Sequence, residues 1–126
     1  MKYLIIDDNE NIRQIIRQTI IQWESDGIVT EDSANEYDNI EECSDGDDAL
    51  SADTSFQPDF VLMDIQMKKM DGLLVIVKLR EKFPNARVII ITDNDTPSYR
   101  AAAVKAGALA FISKENLSAL KEYLNL

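Results

Sequence analysis

The chain contains no histidine, and this absence removes more chemistry than any other feature of its composition. Ser-His-Asp and Cys-His catalysis need an imidazole, and so do histidine-rich zinc sites. There is one cysteine, Cys43, so no internal disulfide can form. That usage fits a reducing compartment, and a cytoplasmic location is the expectation. Cys43 reads as a small packing residue of a strand rather than a reactive thiol. No apolar stretch is long enough to span a bilayer as a helix, and Met1-Lys2-Tyr3 leads into a strand pattern without signal-peptide features. No membrane partner is expected. Basic residues are few: 13 Lys and Arg stand against 23 Asp and Glu, a formal charge of −10. Such a field repels phosphate backbones, so direct nucleic-acid binding is not expected. Repeats, linkers and low-complexity segments are also missing.

What remains is 126 residues, a length for one domain spanning 1–126 with no output domain in this chain. A domain of that size buries roughly two-thirds of its unfolded surface and needs no disulfide or structural metal. Four short apolar runs each end in a polar residue. Tyr3-Leu4-Ile5-Ile6 ends in Asp7-Asp8, and Phe60-Val61-Leu62-Met63 in Asp64. Val88-Ile89-Ile90-Ile91 ends in Thr92, and Leu109-Ala110-Phe111-Ile112-Ser113 in Lys114. Runs of this kind are strands buried on both faces of a parallel sheet. Ligands of such sheets bind outside the carboxyl ends of the strands, so three carboxylates, a hydroxyl and an ammonium share one edge.

Strand and helix patterns alternate. Strands are expected at Lys2–Ile6, Ile40–Cys43, Asp59–Met63, Arg87–Ile91 and Ala108–Ile112. The first helix, capped by Asn9 or Asn11, carries Ile12, Ile15, Ile16, Ile20 and Trp23 at helical spacing and ends at Ser25-Asp26-Gly27. Thr30–Asn39 is acidic, polar and without period, and reads as a loop. A second helix opens at Asp45-Gly46, runs through Ala49, Leu50 and Ala52, and stops before Pro58. The third begins at Gly72 with Leu73, Leu74, Ile76, Val77 and Leu79 inward, and ends at Phe83-Pro84-Asn85. Pro97 suits the first turn of the fourth, which carries Ala101–Val104 and ends at Gly107. A last helix starts at Asn116 or Ser118, with Leu117, Leu120, Tyr123 and Leu124 on one side. The alternation makes this an α/β chain with right-handed crossovers, a doubly wound sheet.

Gathered without a cation, three carboxylates repel and raise one another's pKa values. A hard divalent ion such as Mg²⁺ relieves the conflict. Helix capping accounts equally well for Asp7-Asp8 alone; Asp64 at a second strand end favours the metal. A carboxylate such as Asp64 can also attack phosphorus, with Lys114 as a point charge and Thr92 as a hydrogen-bond partner for phosphoryl oxygens. Simpler roles exist for each: Lys114 as an ion pair with Asp64, Thr92 as a cap.

In that order the set Asp-Asp, Asp, Thr, Lys resembles the receiver domain of bacterial two-component response regulators, over essentially the whole chain. Val61-Leu62-Met63-Asp64-Ile65-Gln66-Met67-Lys68-Lys69-Met70-Asp71-Gly72 is particularly similar to the family pattern around its phosphoacceptor. The resemblance implies a flavodoxin-like five-stranded parallel sheet, order 2-1-3-4-5, with five helices. It implies that Asp64 accepts a phosphoryl group from a sensor histidine kinase or phosphotransfer protein, with slow self-dephosphorylation rather than conventional enzyme turnover. Asp8, Asp64 and the Gln66 backbone carbonyl would hold Mg²⁺, with Asp7 acting through water. Thr92 and Lys114 would bind the phosphoryl group, and Thr92 and Phe111 would form the switch. Output would pass through the fourth helix, fifth strand and fifth helix, by homodimer or partner.

Three neighbours depart from the family pattern. Lys68 replaces a usual proline, losing a fixed φ and adding charge. Asp93 replaces a small residue. Glu115 stands where many relatives have a cis proline; a cis bond there costs about 3 kcal/mol, so either a trans Lys114–Glu115 bond or visible strain is expected. Two rivals remain. Haloacid dehalogenase-like phosphatases also use aspartate, threonine, lysine and Mg²⁺, but need a second aspartate where Gln66 stands. An interaction module that signals without phosphate would not need the intact acidic set.

Overall fold

The computed structural model describes residues 1–25, 39–51, 56–66 and 71–126. The element order is β1 Tyr3–Ile6, α1 Glu10–Glu24, β2 Ile40–Cys43, α2 Gly46–Ser51, β3 Phe60–Met63, α3 Gly72–Lys82, β4 Arg87–Thr92, α4 Pro97–Ala106 and β5 Ala110–Ser113. A 3₁₀ helix, Lys114–Ala119, then leads into α5, Leu120–Tyr123. The strands form one parallel sheet in the order β2-β1-β3-β4-β5. The strand patterns explain the order of layers. β1 and β3 are buried at every position and lie in the middle, whereas β2, with Glu41 and Glu42, forms an edge.

Alternation divides the core in two. Leu4, Ile6, Val61, Met63, Val88, Ile90 and Phe111 pack with Ala49 of α2, Val75, Ile76 and Leu79 of α3, and Ala103 of α4. Tyr3, Ile5, Phe60, Leu62, Ile89, Ile91 and Ile112 pack with Ile16, Ile20 and Ile21 of α1, Leu120 of α5 and Leu124 just after it. Each layer is therefore a sheet face sealed by amphipathic helices.

Local chemistry fixes the helix ends. Asn9 caps α1, its Oδ1 accepting from Asn11 N–H and Ile12 N–H. Ser25 closes that helix through its N–H to the Ile21 carbonyl; Asp26, Gly27 and most of the Thr30–Asn39 stretch lie outside the described residues. So do Ala52 and Lys68. Thr96 caps α4 ahead of Pro97, and Gly107 ends it in the left-handed conformation at φ 112°.

Several expectations need correction. Leu74 and Val77 of α3 are 46% and 42% exposed, and Val75 is buried instead. The run Leu73–Val77 is apolar on every side, so its spacing did not mark the inner face. Ile15 is exposed because Ile16, Ile20 and Ile21 already fill the stripe facing the sheet. Leu109 lies outside β5 and is exposed. The expected last helix begins as 3₁₀ at Lys114, where Ser113 Oγ accepts from Glu115 N–H, and is kinked at Asn116. Tyr123 lies outside its buried stripe. The Lys114–Glu115 peptide, by contrast, is trans as expected.

Candidate functional site

The parallel register brings the polar residues level. Ile6 pairs with Met63 and Met63 with Ile90, so Asp7, Asp64 and the end of β4 emerge side by side. The ladder extends one step further. Asp7 N–H donates to the Cys43 carbonyl at 3.1 Å, and Asp64 N–H to the Ile6 carbonyl at 3.0 Å. Three of the predicted polar residues are buried here: Asp7 at 2% exposed, Asp64 at 7% and Thr92 at 1%.

Lys114 joins the two acids. Its Nζ lies 3.0 Å from Asp7 Oδ2 and 2.9 Å from Asp64 Oδ2. The contact with Asp64 matches the ion pair that the sequence suggests; the contact with Asp7 has no local sequence signal, because the partners lie on different elements. The other carboxylate oxygens are also held. Asp7 Oδ1 accepts from Asn9 N–H at 2.9 Å, and Asp64 Oδ1 from Gln66 N–H at 3.0 Å. Thr92 Oγ1 accepts from Asn94 N–H at 3.2 Å.

The charges respond in opposite senses. Burial pushes the Asp7 carboxyl above its ordinary value, and the nearby Asp64 charge adds to this, against the lowering effects of Asn9 N–H and Lys114. Burial alone would push Lys114 down, but hydrogen bonds to Asp64 and Asp7, with their charges, leave it raised. Cys43, half-buried at the end of β2, has its thiol pushed up to about 11 by burial and by the charges of Asp48, Glu41 and Asp45, which suits a packing role.

Asp8 does not join the cluster and is exposed. Among the described residues, no three acidic, histidine or cysteine side chains converge closely enough to hold a metal. The donor types nevertheless suit a hard divalent cation: the carboxylates of Asp7, Asp8 and Asp64 and the Gln66 carbonyl all offer oxygen. Lys114 places its single positive charge between the two buried acids.

Gln66, two residues after Asp64, is tied to Asp71 at the start of α3. Gln66 and Asp71 form an antiparallel bridge, and Asp71 Oδ1 caps α3 through Leu73 N–H. Gly72 makes this closure possible: a Cβ there would meet the Ile65 carbonyl oxygen at 2.2 Å. Near the other side of the site, Phe111 is buried in the α2–α3–α4 layer. The Arg100 guanidinium carbon lies 5.2 Å from its ring centroid, and Asp95 holds that guanidinium at 2.6 and 3.0 Å. Phe111 lines a groove of about 700 Å³ with Pro97, Arg100, Val104, Lys105 and Tyr123.

An open, doubly wound α/β domain with an acid–lysine cluster at its strand ends is a binding domain of the flavodoxin-like class. Within that class, the chain belongs to the response regulator receiver domain family, whose model matches residues 3–125. The response regulator MprA of Mycolicibacterium vanbaalenii is 31% identical over 114 residues, covering 90% of this chain and 44% of MprA. The chain spans about half the length of the curated relatives it matches. The solved receiver domain of AraT, a response regulator from Geobacillus stearothermophilus, is 30% identical with a TM-score of 0.69, covering 98% of this chain and 95% of that one. A Burkholderia pseudomallei response regulator, solved with a phosphorylated aspartic acid, a calcium ion and citrate, shares the fold at 24% identity and a TM-score of 0.74, over 95% of this chain and 64% of that one. Receiver domains are signalling domains of two-component systems. No described helix is long and apolar enough to cross a membrane.

Proposed function

We propose that this receiver domain is a phosphorylation-dependent switch that accepts a phosphoryl group on Asp64 from a sensor histidine kinase or phosphotransfer protein. The observation that carries the reading is the shared Lys114 contact. It holds the Asp64 carboxylate at a strand end beside Asp7, with the Thr92 hydroxyl on the neighbouring strand. A carboxylate oxygen of Asp64 forms the new bond to phosphorus as the bond to the donor nitrogen breaks, and that nitrogen takes up a proton. Lys114 then exchanges its contact with the carboxylate for one with a phosphoryl oxygen, and Thr92 donates its hydroxyl hydrogen to another. Asp8, Asp64 and the Gln66 carbonyl would hold Mg²⁺, with Asp7 acting through water. Bound there, the ion would neutralise charge developing on the transferred group. The aspartyl phosphate is lost by slow hydrolysis. The calcium and phosphorylated aspartate of the Burkholderia pseudomallei protein support this assignment.

Output follows from the neighbourhood of Thr92. Movement of Thr92 toward a phosphoryl group changes the space available to Phe111, and so reshapes the groove bounded by α4, β5 and α5. A second copy of the chain or another partner would read that face. The decisive experiment is incubation with a small acyl phosphate and Mg²⁺, followed by intact mass. The wild type should gain one phosphoryl group. Asp64→Asn, and wild type with chelator, should gain none; a gain by Asp64→Asn would sink the assignment.

A further inference from the structure

The exposed position of Asp8 raises the question of what aims it. The peptide joining Asp7 to Asp8 sets where the Asp8 side chain projects, and both sides of residue 7 are tied down. Asp7 N–H donates to the Cys43 carbonyl at 3.1 Å. The Asp7 carbonyl accepts from Arg13 Nη1 at 2.6 Å, one turn into α1. The same guanidinium uses Nε to hold Glu42 of β2 at 3.2 Å, so it bridges the acidic turn to the edge strand. Arg17, the next residue on that helix face, also holds Glu42, at 3.3 Å, and donates to the Ile40 carbonyl, but has no described bond to the acidic turn. The planar fork of arginine can serve the carbonyl and the carboxylate together, which a lysine point charge does not.

We infer that Arg13 is a positioning residue for the cation site: by fixing the Asp7–Asp8 peptide it holds the Asp8 backbone beside the two buried acids, from where the exposed Asp8 carboxylate can turn inward onto a cation. This rests on the reading of Asp8 as a metal ligand. Arg13 acts through the Asp7 carbonyl and touches neither cation nor phosphoryl group. Groups that orient a metal's ligands commonly change affinity by tenfold or more. Arg17 provides a comparison: it shares the Glu42 tie, and its described backbone bond runs to the Ile40 carbonyl, whereas that of Arg13 runs to the Asp7 carbonyl.

The test is Mn²⁺ affinity of the full chain, read by water-proton relaxation, with thermal melts alongside. Arg13→Met should weaken Mn²⁺ by about tenfold. Arg17→Met should lower the melting temperature comparably yet leave the affinity unchanged. Should Arg13→Met not fold, Arg13→Lys, which keeps the charge but cannot span both partners, should still weaken binding severalfold. Unchanged affinity in the folded Arg13 variant overturns the inference, as does equal weakening by Arg17→Met, which would mean a fold effect alone. Failure of the wild type itself to bind Mn²⁺ would instead remove the metal-dependent reading beneath it.

Discussion

Replacing Lys114 with methionine is the sharpest test of the electrostatics at the strand ends. The ammonium is the group that holds the two buried acids, at 3.0 and 2.9 Å, and its side chain is 11% exposed. Methionine preserves most of the stem and removes the charge. Breaking a buried pair by deleting one partner costs 3–5 kcal/mol in general; the remaining solvent access of Lys114 argues for the lower end, about 3 kcal/mol at neutral pH. For 126 residues that corresponds to a fall in Tm of about 10 °C. The pH dependence has a definite sign. Asp7 is already raised by burial, so its contribution is fully present below its ordinary value of 3.8 and is lost as pH rises through the folded value. Without Lys114 that folded value rises further, so the deficit of the variant should be largest near neutrality and shrink on acidification. Urea unfolding followed by the fluorescence of Trp23, the single tryptophan, at about pH 7 and about pH 4.5 reads both. A variant as stable as wild type near neutrality, or a deficit that does not change with acid, would refute the reasoning.

Further outcomes follow from the same geometry. Asp7→Asn keeps an acceptor for Asn9 N–H while removing a charge that burial disfavours; it should stabilise the fold near neutrality and flatten the stability profile above pH 3.8, checked by urea titrations across that range. Gly72→Ala forces a methyl group against the Ile65 carbonyl and should cost about 3 kcal/mol, seen as a lower urea midpoint. Tyr3 donates its hydroxyl to Glu24 at 2.7 Å, and burial, with that carboxylate, raises its pKa. Tyr3→Phe should lose about 1 kcal/mol at neutral pH. The wild type, unlike this variant, should shed stability as pH climbs above the ordinary tyrosine value of 10.0, because a raised group stabilises only while protonated.

Much of this arrangement was legible in the residues. Strands buried on both faces need unbroken apolar runs, and the polar residue ending each run is where the sheet meets solvent, so Asp7, Asp64, Thr92 and Lys114 could be placed together. β2 begins and ends where its apolar and polar pattern predicts. Legibility failed where contrast failed. Leu73–Val77 carries no polar residue to mark an outer face, and the choice among Leu74, Val75 and Val77 is made by packing. The 3₁₀ start after β5 depends on a Ser113 hydroxyl bond that no periodicity reports. At the site, the bond of Lys114 to Asp7 and of Arg13 to the Asp7 carbonyl join distant or differently folded segments. A trace of the second was visible: Arg13 and Arg17, one turn apart on a helix of an acidic chain, next to a strand bearing Glu42.

The sheet that divides the core also acts as an insulating wall. Alternation along β4 places Thr92 in step with Val88 and Ile90, on the side that holds Phe111, α3 and α4. Under the proposed switch, displacement at Thr92 would therefore be felt in that layer. On the far side, α1 and α5 pack against Ile89, Ile91 and Ile112. Arg13 stands on α1, on the opposite side of the sheet from Phe111, so the residue that holds the Asp7 carbonyl and the ring proposed as the switch belong to separate layers.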